Sequence, residues 1–330
     1  MNRKSTGRPG ASDVRSEGDV RRAADDRTVG HDGYRHEALF WYGLDDFLAA
    51  TVPFVLDGLE ADEAVMAAVA PSHVAPLRDA LGPAASGVRL VDMGEMGANP
   101  ARIIPAWRDF ADAHAGRVMR GVGEPIWSGR RADELVECQL HEALLDEALP
   151  SHTPFWLLCP YDADALGDAV LAEARRSHGT VDGSPTGLRD GGHPAHLFAA
   201  ELPSAPASAV VVAFDRAGLA DVRRMTEEWA AATGFSAVRV EDLGLAVHEV
   251  AVNSVEYGGG RGDLLLWVEP GALVVEVRDA GRIDDLFVGR RVPAWDDDHG
   301  RGLWLANQLC DLVQLRSGPT GTTVRIHTWR

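Results

Sequence analysis

Four short segments in the last third of this 330-residue chain hold side chains that together can bind a nucleotide. His248-Glu249-Val250-Ala251-Val252-Asn253 sets a carboxylate and a carboxamide four residues apart. On a helix, Glu249 and Asn253 therefore stack on one face. Two oxygen groups there can serve one ligand, although a solvated polar face would use the same spacing. Val274 to Asp279 reads as a strand ending in a carboxylate, followed by Ala280-Gly281. Such a carboxylate can accept a hydrogen bond from an adenine amino group, and the glycine lets backbone approach the ring. An ordinary Asp-x-Gly turn has the same letters. Gly300-Arg301-Gly302 precedes a helix beginning at Leu303, where freed backbone amides attract phosphate. Gly321-Thr322-Thr323 brings hydroxyls to the start of the last strand. Each piece is weak alone; in this order they fit one pocket for ATP with Mg2+. The charged loop from Arg282 to His299 has the length of a lid over such a pocket.

These residues need elements to hold them. Leu243, Ala246, Val247, Val250 and Ser254 repeat at helical spacing and predict a buried stripe on a helix over Val240 to Tyr257. A second helix is expected over Leu219 to Ala232. Strands are expected at Val210–Phe214, Leu264–Glu269, Leu273–Asp279, Val313–Arg316 and Thr322–Thr328. Early helices and late strands predict an α/β sandwich, one helical layer on one mixed sheet, over residues 209–330. Residues 34–178 alternate apolar runs (Ala64–Ala70, Val88–Asp92, Arg117–Val122, Phe155–Pro160) with amphipathic stretches. That alternation predicts an α/β domain with a mostly parallel sheet. Its ligand loops would follow the strand C-termini, where Glu124, Trp127 and Tyr161 lie. Residues 1–33 read as a disordered tail and 179–208 as a Gly/Pro-rich linker.

Composition narrows the function. Asp and Glu outnumber Lys and Arg by 50 to 32, a formal net charge of −18. Such a surface repels nucleic acid and anionic membranes, so protein or small-molecule partners are expected instead. No apolar run is long enough to span a bilayer, and no signal-type N-terminus is seen, which predicts a soluble, cytoplasmic protein. Cys138, Cys159 and Cys310 are scattered and odd in number, as suits buried thiols in a reducing compartment. Cys138 and His141 can share a helix face, but two ligands do not make a zinc site. The pairs His36-Glu37 and His141-Glu142 are read as structural.

Taken in order, Glu-x-x-x-Asn, Asp-x-Gly, Gly-x-Gly and Gly-Thr resemble the GHKL (Bergerat-fold) ATPases over roughly Val210 to Thr328. The resemblance implies that Asn253 ligates Mg2+, that Asp279 reads the adenine amino group, and that Gly281, Gly300, Gly302 and Leu303 line the nucleotide. It implies that Thr322 or Thr323 supports the adenine, and that Glu249 is the general base activating the phosphate acceptor. Three features depart from the pattern: Asp279-Ala280-Gly281-Arg282-Ile283 lacks a second glycine, Tyr257 stands where relatives often carry His, and the lid is unusually acidic at Asp296-Asp297-Asp298. Within the superfamily the domain resembles the anti-sigma-factor serine kinases, because His193 and His196 sit in a Gly/Pro setting rather than on a helix. That implies a sigma factor or an anti-sigma-factor antagonist as partner, and a homodimer. A non-catalytic ATP-dependent sequestering module and an orphan histidine kinase are the alternatives.

Arg35-His36-Glu37-Ala38-Leu39-Phe40-Trp41-Tyr42, Phe54 to Leu59, Gly123-Glu124-Pro125-Ile126-Trp127 and Leu157-Leu158-Cys159-Pro160-Tyr161 resemble the MEDS sensory domain (named for methanogens and methylotrophs). The resemblance implies a RecA-like α/β core that senses a small-molecule signal or a partner. No G-x-x-x-x-G-K-[ST] is present, so ATP hydrolysis is not expected there.

Overall fold

A computed structural model describes residues 33–188, 191–293 and 301–330. The tail expected at the N-terminus, Gly300 and the acidic part of the lid lie outside them.

The N-terminal sheet has seven strands: β1 (Arg35–Trp41), β2 (Ala64–Val69), β3 (Arg89–Asp92), β4 (Met119–Gly123), β5 (Phe155–Asp162), β6 (Thr180–Val181) and β7 (Ser184–Pro185). Their order is β3-β2-β4-β5-β1-β6-β7, parallel except for the β6–β7 hairpin. Every position of β2 and β4 is buried, as a strand covered on both faces requires. The covering helices are α1 (Gly43–Glu60), α2 (Pro71–Leu81), α3 (Ile103–Ala113), α4 (Ala132–Ala148) and α5 (Asp168–Ser177). Phe47, Phe54 and Leu77 pack one face with Val65 and Val122; Trp107, Phe110 and Leu144 pack the other with Met66 and Leu157. Strand β1 lies inside the sheet although its letters open Arg-His-Glu. Tertiary partners satisfy them: Trp156 Nε1 donates to Glu37 Oε2 (3.1 Å) and the Gly183 amide to Glu37 Oε1 (2.7 Å).

Residues 179–208, expected as a loose linker, carry β6, β7 and a helix α6 (His193–Ala199). Strand β6 extends the sheet beside β1, and Phe198 is buried in the core. His193 and His196, expected off any helix, are both on α6, and His193 is bonded to Glu173. Gly and Pro mask these elements because the segment is ordered by what it packs on, not by local propensity.

The second sheet contains β8 (Val210–Asp215), β9 (Arg261–Glu269), β10 (Ala272–Asp279), β11 (Leu312–Gly318) and β12 (Gly321–Trp329) in the order β11-β12-β10-β9-β8. Helices α7 (Leu219–Ala232), α8 (Ala237–Tyr257) and α9 (Arg301–Leu309) form its helical layer. The sheet expected to be mixed is antiparallel at every pairing. The reason is local. Chain leaving β11 reverses at Gly318–Gly321, and β12 slots between β11 and β10.

Both sheets belong to one compact unit over residues 31–330. Buried Glu137 on α4 joins them: Arg290 Nη2 reaches its Oε2 (3.0 Å), and Arg316 Nη2 on β11 its Oε1 (2.6 Å). Asn99 and Arg102 reach the end of α9. Arg102 Nε donates to the Asn307 carbonyl (2.8 Å) and Nη2 to that of Gln308 (2.7 Å). Among the described residues no helix is long and apolar enough to cross a membrane.

Candidate functional site

Helix α8 starts at Ser236, whose hydroxyl accepts from the Arg239 amide (3.4 Å). Leu243, Ala246, Val247, Val250 and Ser254 are all buried, as the stripe predicts. Glu249 and Asn253 fall at its edge and are half-buried. The first turn of α9 lies against them. A Cβ placed on Gly302 would come within 3.1 Å of Asn253 Nδ2 and of Glu249 Oε2. A glycine lets α9 seat this closely beside the polar pair without displacing either side chain.

The end of β10 forms the other half. Asp279 Oδ2 accepts from Ser254 Oγ (2.6 Å) and Oδ1 from the Gly281 amide (2.8 Å). The carboxylate is thereby fixed to helix α8 and to its own turn. Gly258, just past α8, presses on it: a Cβ there would lie 2.6 Å from Asp279 Oδ1. Thr322 stands opposite Asp279 in the ladder, and its hydroxyl donates to the Gly281 carbonyl (2.9 Å). Ser317 Oγ is 2.9 Å from Thr322 Oγ1 and accepts from the Ile283 amide (2.8 Å). This chain of hydrogen bonds pins the loop leaving β10. Gly321 has φ +126°, and any Cβ there would strike the Asp279 carbonyl.

The structure thus draws Glu249, Asn253 and Gly302 into one contact group and Asp279, Gly281 and Thr322 into a second, both resting on α8. Thr323 points to the opposite face of β12 by strand alternation, level with Arg278 and Arg316. Leu303 is buried in the apolar core, so its contribution at the site is limited to backbone. Gly300 is outside the described residues. Ser254, Gly258 and Ser317 were not singled out from sequence as site residues. A hydroxyl at an apolar-stripe position and the Gly258-Gly259-Gly260 run were the available signals. Oxygen donors at Glu249 and Asn253, with the glycine cradle at Gly302, suit a hard divalent cation bound to a phosphate.

The N-terminal candidates do not share one contact group. Glu124 is buried; it accepts from the Ala70 amide (2.8 Å) and lies 2.9 Å from His73 Nδ1. Burial pushes its carboxyl up, against the pull of His73 and Ala70. Trp127 lies under the Arg130 guanidinium, 4.0 Å from the ring centroid. Tyr161 packs against Phe40 and His178.

The glycine-lined edge thus belongs to an α/β sandwich that follows a mostly parallel α/β domain. Residues 35–179 match the family described as MEDS, MEthanogen/methylotroph, DcmR Sensory domain, and residues 212–328 match the Histidine kinase-like ATPase domain. The chain joins an N-terminal MEDS domain to a C-terminal histidine kinase-like, GHKL-type ATPase domain. No curated protein matches it. Among solved structures it is similar to the RsbU and RsbW domains of a Mycobacterium tuberculosis protein, with 21% identity over 38% of this chain and a TM-score of 0.29. It covers 33% of that chain.

Proposed function

We propose that this chain is a cytoplasmic signalling regulator whose C-terminal domain binds Mg-ATP and acts as an anti-sigma factor and serine kinase on an antagonist protein. The N-terminal domain, sensing a small molecule or a partner, sets that activity. The carrying observation is the seating of Gly302 against both Glu249 and Asn253, next to an Asp279 already fixed by Ser254 and Gly281.

Bound Mg-ATP supplies the transferable phosphoryl group. The Asn253 carboxamide oxygen holds the cation. Asp279 accepts from the adenine amino group, and Gly281 gives the ring room. Of the two threonines, Thr322 is on the pocket's face and holds Gly281 in place. Gly302 offers its amide to the phosphates. Glu249, one helical turn before Asn253, takes the proton from the acceptor serine hydroxyl. The histidine-kinase alternative is disfavoured by α6. Its His193 is buried against Glu173, and the helix packs on α4 and β11, so no acceptor hairpin precedes the ATPase domain among the described residues.

Calorimetric titration of the full chain with Mg-ATP tests the pocket. Asn253→Ala is expected to weaken binding at least tenfold, about 1.4 kcal/mol. Glu249→Gln is expected to keep binding and lose phosphotransfer to the antagonist. Undiminished affinity in Asn253→Ala would sink the pocket. Failure of the unaltered protein to label any antagonist with saturating ATP would leave sequestration without catalysis.

A further inference from the structure

We propose that the core of the N-terminal domain holds one zinc ion, bound by His36, Glu142, Cys159 and His178. These four come from β1, α4, β5 and the residue closing α5, and all are buried. One ligand atom from each lies within 4.8 Å of the other three. Glu142 Oε2 is 3.1 Å from both His36 Nε2 and His178 Nε2, and Cys159 Sγ is 3.4 Å from His36 Nε2. Zinc binds nitrogen at about 2.0–2.1 Å and thiolate sulfur at about 2.3 Å, so ligand atoms of a tetrahedral site stand about 3.3–3.6 Å apart. The three separations of 3.1, 3.1 and 3.4 Å lie close to that spacing.

Hydrogen bonding directs the lone pairs inward. His178 Nδ1 faces the Ala174 carbonyl at 2.8 Å. A carbonyl only accepts, so Nδ1 carries the proton and the neutral ring turns a bare Nε2 toward Glu142. Asp146 Oδ1 lies 3.3 Å from His36 Nδ1, the carboxylate–histidine arrangement that orients metal-bound imidazole. Among the described residues, His178 Nε2 and Glu142 Oε1 have no hydrogen-bond partner despite full burial. Converging lone pairs in a dry core repel one another unless a cation sits between them. Thiolate and imidazole together select zinc over calcium or magnesium. One thiolate and one carboxylate also neutralise Zn2+, which removes the cost of burying net charge. The balance is simple: aqueous Zn2+ enters, the Cys159 thiol proton leaves to solvent, and any proton on an imidazole Nε2 leaves with it. Four protein ligands make the site closed, so the ion clips β1 and β5 to two helices at the point where the chain exits the domain.

Sequence pairs pointed elsewhere. Cys138 donates to the Pro125 carbonyl (3.3 Å), and His141 is outside the cluster although it is the sequence neighbour of Glu142.

The test uses the tag-free full chain without nucleotide. Metal analysis is expected to find one zinc per chain. Cobalt(II) loaded after chelation is expected to give tetrahedral visible bands and a near-ultraviolet thiolate charge-transfer band. Cys159→Ser is expected to lose that band, and Asp146→Asn, which leaves all four ligands, to weaken zinc about tenfold. A wild-type chain that binds neither zinc nor cobalt, or a cobalt spectrum without thiolate charge transfer, overturns the site even if every variant fails to fold. Equal zinc in Cys159→Ser overturns it as well.

Discussion

Ser254 Oγ donates to Asp279 Oδ2 across 2.6 Å, tying the middle of α8 to the tip of β10. The second carboxylate oxygen is held by the Gly281 amide. Neither bond reaches outside the domain, yet together they set the direction in which Asp279 presents its remaining lone pairs. Ser254→Ala removes a hydroxyl bond to a charged acceptor, an interaction of about 1.5–3 kcal/mol. Nucleotide affinity is expected to drop about tenfold or more, and Tm to fall by a few degrees, because alanine's better helix propensity, about 0.5 kcal/mol, offsets only part of the lost bond. Calorimetry and thermal unfolding on the same sample check both halves.

Gly302→Ala probes the other contact. Its Cβ would sit 3.1 Å from Asn253 Nδ2 and Glu249 Oε2, closer than neighbours normally tolerate. The polar pair must shift or α9 must lift. Helix propensity favours alanine over glycine by about 1 kcal/mol, so folding should survive. ATP affinity is expected to fall with the fold intact; a variant that binds like the parent would show that Gly302 is not part of the pocket.

Arg102 belongs to the first domain but holds the last carbonyls of α9, at Asn307 and Gln308. A cation there satisfies the orphan carbonyls and complements the helix dipole. Since the first turn of α9 meets Glu249 and Asn253, loosening its last turn should reach the nucleotide. Arg102→Ala is expected to lower ATP affinity severalfold and to speed amide exchange over residues 301–309. Unchanged affinity together with unchanged exchange would mean that α9 does not couple the domains.

His327 gives a pH dependence. It is buried on β12 with Nε2 3.1 Å from Gln314 Oε1. Burial pulls its value down to about 4, with Arg325 and Arg131 adding to the shift and Glu269 opposing it. The folded state resists protonation more than the unfolded chain does. Stability from this group is therefore complete above the ordinary histidine value near 6.5 and is lost as pH falls toward 4. Denaturant titrations of wild type and His327→Gln between these limits should diverge: the wild type declines by an extra 1–3 kcal/mol or so, and the variant lacks that part of the slope.

Much of both domains could be read from letters. Helix α7 begins and ends at Leu219 and Ala232 as the pattern predicts, and the stripe through Leu243 and Val250 is buried as periodicity requires. These elements announce themselves because their faces are uniformly apolar. Strand β1 does not, since its first three residues are charged or polar and find partners, Trp156, Gly183 and Glu142 among them, on distant chain. Helix α6 hides for the same reason: Gly and Pro flank it, and Phe198 finds its core only in the assembled molecule.

At the proposed nucleotide edge, the chain itself fixed which residue types were present and that Glu249 and Asn253 would share a helical face, because helical geometry follows from local spacing. It could not say that Gly302 would be the residue lying on that pair, that Ser254 would hold Asp279, or that Thr323 would turn away while Thr322 turned in. Nor could it separate Glu142 from His141, or join His36 to Cys159 and His178 over more than a hundred residues. Such meetings depend on sheet order and strand register, and those are settled by burying many apolar surfaces at once, a balance no short stretch of sequence contains.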